Sequence, residues 1–122
     1  MKVESKSDRH CPTKSWGWEE WIVNNELYCG KRLHFTKLWN TSLHFHKNKH
    51  ETMYVERGTF LIVVVDTTVG TEHGHNLKAG DSLVIPPLTP HRIIAMELDQ
   101  GEAILVEFST HHEDDDSYRV LK

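Results

Sequence analysis

Residues 44–65 read HFHKNKHETMYVERGTFLIVVV, and this stretch decides the fold. Ser42 to His46 alternates polar and apolar residues, the two-residue period of a half-buried strand. Thr52 to Glu56 is a second β-type run. It passes through Arg57-Gly58 into Thr59 to Val65, which is β-branched and apolar on both faces, the pattern of a strand buried on both sides. Successive residues of a strand point to opposite faces, so His44 and His46 leave the same face about 7 Å apart along the chain. Glu51 opens the strand that follows.

The same pattern continues outward in both directions. Upstream, Glu20 to Val23 and Lys31 to Phe35 are short β-type runs separated by the turn-prone Asn24-Asn25 and by Gly30. In the second run Leu33 and Phe35 alternate with Arg32 and His34. Downstream, Asp66 to Gly74 reads as a polar hairpin tip. Leu83 to Ile85 is a strand stopped by Pro86-Pro87, and His91 to Met96 and Ala103 to Phe108 are two more, divided by a turn at 98–101. Only the acidic tail, Glu113 to Val120, admits a turn or two of helix. Many short strands with Gly and Pro punctuation predict an all-β protein, an antiparallel sandwich or barrel; a small antiparallel double-sheet β-barrel of the jelly-roll kind is the form expected.

With 122 residues the chain has the length of one domain. We expect a flexible arm over residues 1–13 and a single domain over 14–122. Apolar residues at 38% and charged ones at 26% fit a globular protein. A formal charge of −4 gives no reason to expect nucleic acid or an anionic membrane as partner. The longest apolar run, Phe60 to Val65, is far short of the roughly 20 residues that span a bilayer. The charged N-terminus does not read as a signal peptide. Cys11 and Cys29 form no framework and read as free thiols, so a reducing, cytoplasmic setting is expected.

Ten histidines are the compositional outlier, and their placement matters more than their number. His91 opens a strand just after the stiff segment Pro86-Pro87-Leu88-Thr89-Pro90, a rigid backbone able to hold a ligand brought from forty residues away. His44, His46, Glu51 and His91 together make a mixed N/O set suited to one divalent transition metal: Zn, Fe, Mn, Ni or Co. A His-x-His pair alone is more often a surface pair. His10, His34, His73, His75, His111 and His112 read as solvated or loop residues, and His50 points to the face opposite Glu51.

Two spaced motifs strengthen the metal reading. His44-x-His46-x4-Glu51-x6-Gly58 resembles the first motif of the cupin superfamily, and Gly80-x5-Pro86-x4-His91 resembles the second. The departures are Leu38, Leu88 and Ala95, where cupins carry Gly, Gly and Asn. Within that superfamily the chain resembles the C-terminal cupin domain of type II phosphomannose isomerases, including the bifunctional mannose-1-phosphate guanylyltransferases. The segments concerned are Trp16-Gly17-x-x-Glu20, Lys31-Arg32-Leu33, Ile85-Pro86-Pro87-x-Thr89-Pro90-His91-Arg92 and Asp114-Asp115-Asp116-x-x-Arg119. Here His44 stands where those enzymes usually have Gln, and Lys49 where they have an Arg that assists catalysis.

The resemblance implies a metal-dependent enzyme acting on a sugar phosphate, with aldose–ketose isomerisation of the mannose-6-phosphate type. Glu51 and Glu97 are then the candidate proton carriers. Glu97 shares strand parity with His91. Lys49 is a candidate for assisting catalysis, and Lys31, Lys49 and Arg92 for holding the substrate, with Arg57 as a further cation. A metal-dependent dioxygenase or lyase, with Tyr54 as a base on the opposite face, is the alternative, as is a non-catalytic sugar-binding module. A homodimer is expected, with the run from Phe60, Ile94 and Met96 as candidate interface.

Overall fold

The structure, a computed structural model, describes residues 1–120. The last two positions of the expected 14–122 domain, Leu121 and Lys122, lie outside the described residues. Among the described residues, twelve strands follow one short 3₁₀ turn at Lys6–Asp8. They are β1 (Thr13–Lys14), β2 (Gly17–Asn24), β3 (Cys29–Phe35), β4 (Trp39–Asn40), β5 (His44–Phe45) and β6 (Glu51–Arg57). Then come β7 (Thr59–Asp66), β8 (Thr71–Lys78), β9 (Ser82–Ile85), β10 (His91–Glu97), β11 (Ala103–Ser109) and β12 (Tyr118–Arg119).

All pairings are antiparallel, in two sheets of order β1-β2-β3-β11-β6-β9 and β12-β5-β10-β7-β8, with β4 also on β10. The architecture is the expected double-sheet jelly roll, though the sheets do not close into one continuous ring.

The inward-facing rows explain where a site forms. Reading each strand from one end of the cup to the other, the rows are Phe35, Leu33, Lys31 on β3 and Ala103, Leu105, Glu107 on β11. On β6 and β10 they are Val55, Met53, Glu51 and Ala95, Ile93, His91. All twelve side chains are buried. Every row is apolar at one end and ends in a titratable residue at the other. The apolar ends join Phe60, Ile62 and Ile85 in one core cluster. Its burial, at roughly 25 cal/mol per Å² of apolar surface, supplies the main folding drive. The polar ends share one mouth.

Gly58 turns β6 into β7 at φ +75°, and a Cβ there would sit 2.5 Å from the Glu97 carbonyl oxygen. Only glycine fits both constraints.

Three readings of the sequence change. Residues Thr71–Lys78 are a strand, not part of a hairpin tip. β8 is an edge strand whose only buried side chain is Leu77, so no apolar alternation marks it. The tail forms no helix; it makes a turn and then β12, which pairs with β5. Phe60 and Ile62 lie in the core and are unavailable to an interface, whereas Met96 is exposed. At the end of the N-terminal arm, the Trp21 N–H donates to the His10 carbonyl at 3.0 Å, and Arg9 pairs with Glu20 at 2.7 Å.

Candidate metal centre

Three elements deliver the histidines. β5 carries His44 and ends just before His46, while β10 begins at His91, directly opposite His44 in register. Ring centroids stand 4.4 Å apart for His44 and His91, 5.3 Å for His44 and His46, and 5.8 Å for His46 and His91. One ligand atom from each lies within 4.8 Å of the other two. Backbone hydrogen bonds tie the proline segment to its neighbours: the Leu88 N–H donates to the His46 carbonyl at 2.7 Å, and the Val65 N–H donates to the Pro90 carbonyl at 2.9 Å. Leu88, standing where the cupin motif has Gly, adopts φ +62°. This left-handed conformation costs a non-glycine residue about 1–2 kcal/mol.

The tautomers follow from the partners. His44, His46 and His91 each direct Nδ1 at a backbone carbonyl, of Ser42 (3.0 Å), Asp116 (2.6 Å) and Thr89 (2.9 Å). A carbonyl only accepts, so Nδ1 carries the hydrogen and Nε2 keeps its lone pair. Such outer contacts orient metal-ligating imidazoles. Burial, then His91 beside it, pushes the His44 pKa down to about 4, so the ring is neutral near pH 7, as a ligand must be.

Glu51 supplies the test of fit. Its Oε1 lies 3.2 Å from His91 Nε2 and 3.8 Å from His46 Nε2. His91 Nε2 and both Glu51 oxygens are buried without a hydrogen-bond partner. Acceptors turned toward one another in a dry site are costly unless a cation lies among them. The donor set and its geometry fit a divalent transition metal.

His44, His46 and Glu51 open into a cavity of about 260 Å³, near the small end of ligand pockets, which run from roughly 300 Å³. Trp16, Trp21, Lys31, Lys49, Glu107 and His112 are among its walls. Lys49 is buried, with Nζ 3.0 Å from Glu107 Oε2, 3.0 Å from His112 Nδ1 and 3.6 Å from Glu51 Oε2. Burial alone would lower its pKa, but Glu107 and Glu51 reverse this and raise it, so Lys49 stays an ammonium. Lys31 packs 3.8 Å over the Trp21 ring, and burial lowers its pKa.

The structure therefore brings His44, His46, Glu51, His91, Lys49 and Lys31 to one place. It does not bring Arg92 or Glu97. Arg92 follows His91 on β10 and so faces the other side of the sheet. Glu97 is exposed, bonds to Thr59 Oγ1 at 3.2 Å, and lies beyond a register shift between Ala95 and Glu97. That irregularity breaks the parity argument, and six residues of strand separate Glu97 from His91 by about 20 Å. Arg57 pairs with Glu102 at 3.5 Å, and neither residue lines the cavity. Tyr54 is exposed and also outside the cavity.

Three residues were missed. Glu107 sits at an inward position of β11, but apolar neighbours on both faces hide its parity. His112 was read as a loop residue. Asp116 was part of the quoted tail without a role; its carboxylate accepts the backbone N–H groups of Lys47 (2.8 Å), Asn48 (3.2 Å) and Lys49 (3.2 Å).

A family model described as Cupin matches residues 32–119. No curated protein matches the sequence. Among solved structures, oxalate decarboxylase from Bacillus subtilis is 22% identical with TM-score 0.79, over 96% of this chain and 31% of that one. The capsular polysaccharide assembling protein CapF from Staphylococcus aureus is 12% identical with TM-score 0.79, over 93% of this chain and 33% of that one. The chain thus spans about a third of the length of these proteins, and at such identities the likeness is one of fold.

Proposed function

Because the chain belongs to the cupin family, with three histidines grouped to bind a metal, we propose that it acts on a sugar phosphate and interconverts its aldose and ketose forms. The observation that carries this reading is the joining of that histidine group to a small polar cavity with two buried lysines, Lys31 and Lys49, in its wall. The likeness of Trp16-Gly17-x-x-Glu20, the Ile85–Arg92 segment and the acidic tail to type II phosphomannose isomerases supports the same reading.

In it His44, His46, His91 and Glu51 hold the metal, which when bound supplies Lewis-acid polarisation of a sugar carbonyl. The chain's own groups do the rest. Lys49, fixed by Glu107 and Glu51, presents a charge that stays on and assists catalysis, as the equivalent Arg does in the resembled enzymes. Lys31 and Lys49 attract the anionic substrate, and Lys49 lacks the planar fork that gives Arg its bidentate grip. Trp16 and Trp21 offer apolar ring surface to the sugar.

Cys11 and Cys29 are free, in keeping with a cytoplasmic setting. Among the described residues no helix is long and apolar enough to cross a membrane. A homodimer is part of the proposal; exposed Tyr54, Val84 and Phe108 on neighbouring strands of the first sheet support it. Sedimentation velocity tests it.

The test of function is metal analysis of the purified protein, then isothermal titration of the metal-loaded form with mannose 6-phosphate and fructose 6-phosphate. NMR of the sugar in heavy water follows. Binding with deuterium entering C1 or C2 is the expected result. Binding without exchange would reduce the protein to a sugar-binding module. Absence of sugar-phosphate binding would overturn the reading in favour of a dioxygenase or lyase.

A further inference from the structure

We propose that Glu107 is the general base that carries the hydrogen between C1 and C2 of the sugar, with Lys49 and Ser109 as its positioning residues. The assignment rests on the isomerase reading above.

Aldose–ketose interconversion needs a carboxylate or imidazole that meets the substrate and is not tied up as a ligand. Four carboxylates line the cavity: Glu19, Glu51, Glu107 and Asp114. Glu51 lies against His46 and His91, within the group that holds the cation. Glu19 accepts the Trp21 indole N–H at 2.9 Å and pairs with Lys14 at 3.9 Å. Asp114 is almost fully exposed and bonds to His112 at 2.9 Å.

Glu107 differs from all three. It is buried. Its Oε2 accepts from Lys49 Nζ at 3.0 Å and from Ser109 Oγ at 3.1 Å, while Oε1 makes no hydrogen bond among the described residues. One oxygen is anchored and the other makes no such bond, on a side chain that lines the cavity. The Lys49 ammonium that anchors it also lies 3.6 Å from Glu51 Oε2, so Glu107 stands one ammonium away from the histidine group. A base must be held within hydrogen-bond reach of the hydrogen it takes, and a carboxylate clamped at one oxygen meets that demand without surrendering both lone-pair sets.

The step balances within the substrate. Glu107 takes the hydrogen at C2 as a proton. The C2–H electron pair forms the C1=C2 bond, and the C1=O pair moves onto O1, giving an enediolate. The O2 proton passes to O1, and O2 re-forms a carbonyl with C2. The C1=C2 pair then takes the proton back from Glu107 at C1. C1 is reduced, C2 is oxidised and nothing external is consumed.

Glu107→Gln keeps the shape and a hydrogen-bonding oxygen but cannot act as a base. Its metal content and its titration with mannose 6-phosphate are expected to match wild type within about threefold, whereas deuterium exchange at C2 falls on the order of 10²–10⁴-fold. Added formate is expected to restore part of the exchange in Glu107→Ala; if that variant does not fold, Glu107→Gln alone decides.

Exchange by Glu107→Gln within tenfold of wild type would overturn the assignment and leave the isomerase standing. So would parallel loss of metal, sugar affinity and exchange, which marks a structural ion pair. Wild-type protein that binds the sugar without exchange removes the isomerase reading and this assignment together.

Discussion

Asp116 is the residue through which the tail reaches the metal centre, and Asp116→Ala tests that connection. Its carboxylate accepts N–H groups from Lys47, Asn48 and Lys49, and its carbonyl accepts His46 Nδ1–H at 2.6 Å. The substitution leaves the carbonyl but strips three donors of a charged acceptor. Hydrogen bonds to a charged group contribute about 1.5–3 kcal/mol each, but neighbouring ones are not additive and water relieves part of the loss. A net loss of about 2–3 kcal/mol follows. For a domain of this size it corresponds to a fall of about 10 °C in melting temperature.

The 47–49 turn lies between two expected ligands, His46 and Glu51, so metal affinity is expected to fall about 10–100-fold, as for other outer contacts of ligating histidines. Acid gives an independent reading. Burial works against the charged carboxylate, but the three N–H donors outweigh it and lower the Asp116 pKa. A depressed folded pKa contributes stability above the unfolded value, near 3.9, and loses it as pH falls through the folded value. The gap between wild type and Asp116→Ala should thus be constant from about pH 5 to 8 and shrink below about pH 4. Thermal melts across that range, with competitive metal titration at neutral pH, make the measurement. A melting point within about 2 °C of wild type together with unchanged metal affinity would refute the reasoning.

Other changes probe single contacts. The double substitution His46→Ala and His91→Ala is expected to abolish bound metal by elemental analysis, and full occupancy in that variant would sink the ligand assignment. Gly58→Ala places a Cβ 2.5 Å from the Glu97 carbonyl oxygen and 2.9 Å from the Ala103 Cβ, at φ +75°; a loss of about 2–4 kcal/mol in urea denaturation is expected. Leu88→Gly relieves a left-handed backbone at φ +62°, a gain of about 1–2 kcal/mol that exceeds the roughly 0.5–1 kcal/mol of added chain entropy. A small rise in melting temperature is expected, and a fall would show that the Leu88 side chain holds the turn beside His46.

The expected ligands were legible in the sequence because each sits where local rules are strict. His44 and His46 share a face by strand parity, Glu51 opens β6, and His91 follows a segment whose prolines allow few conformations. Glu97 was misplaced by the same parity rule, because the register shift at Ala95/Glu97 lies where nothing in Ala95-Met96-Glu97 announces a bulge. β8 was invisible since an edge strand with one buried side chain has no apolar period to display.

The cavity wall was hidden for a different reason. Lys49 and Glu107 are 58 residues apart, and their 3.0 Å contact depends on β11 lying beside β6. Local pattern carries no information about that neighbour. A charge buried on a strand must find a partner or neutralise. Glu107, at an inward position between apolar neighbours, therefore demanded a cation, and Lys49 met that demand only once the sheet was assembled. What the sequence shows directly is the expected metal set. The groups that surround it, and so the choice of substrate, belong to pairings between distant strands.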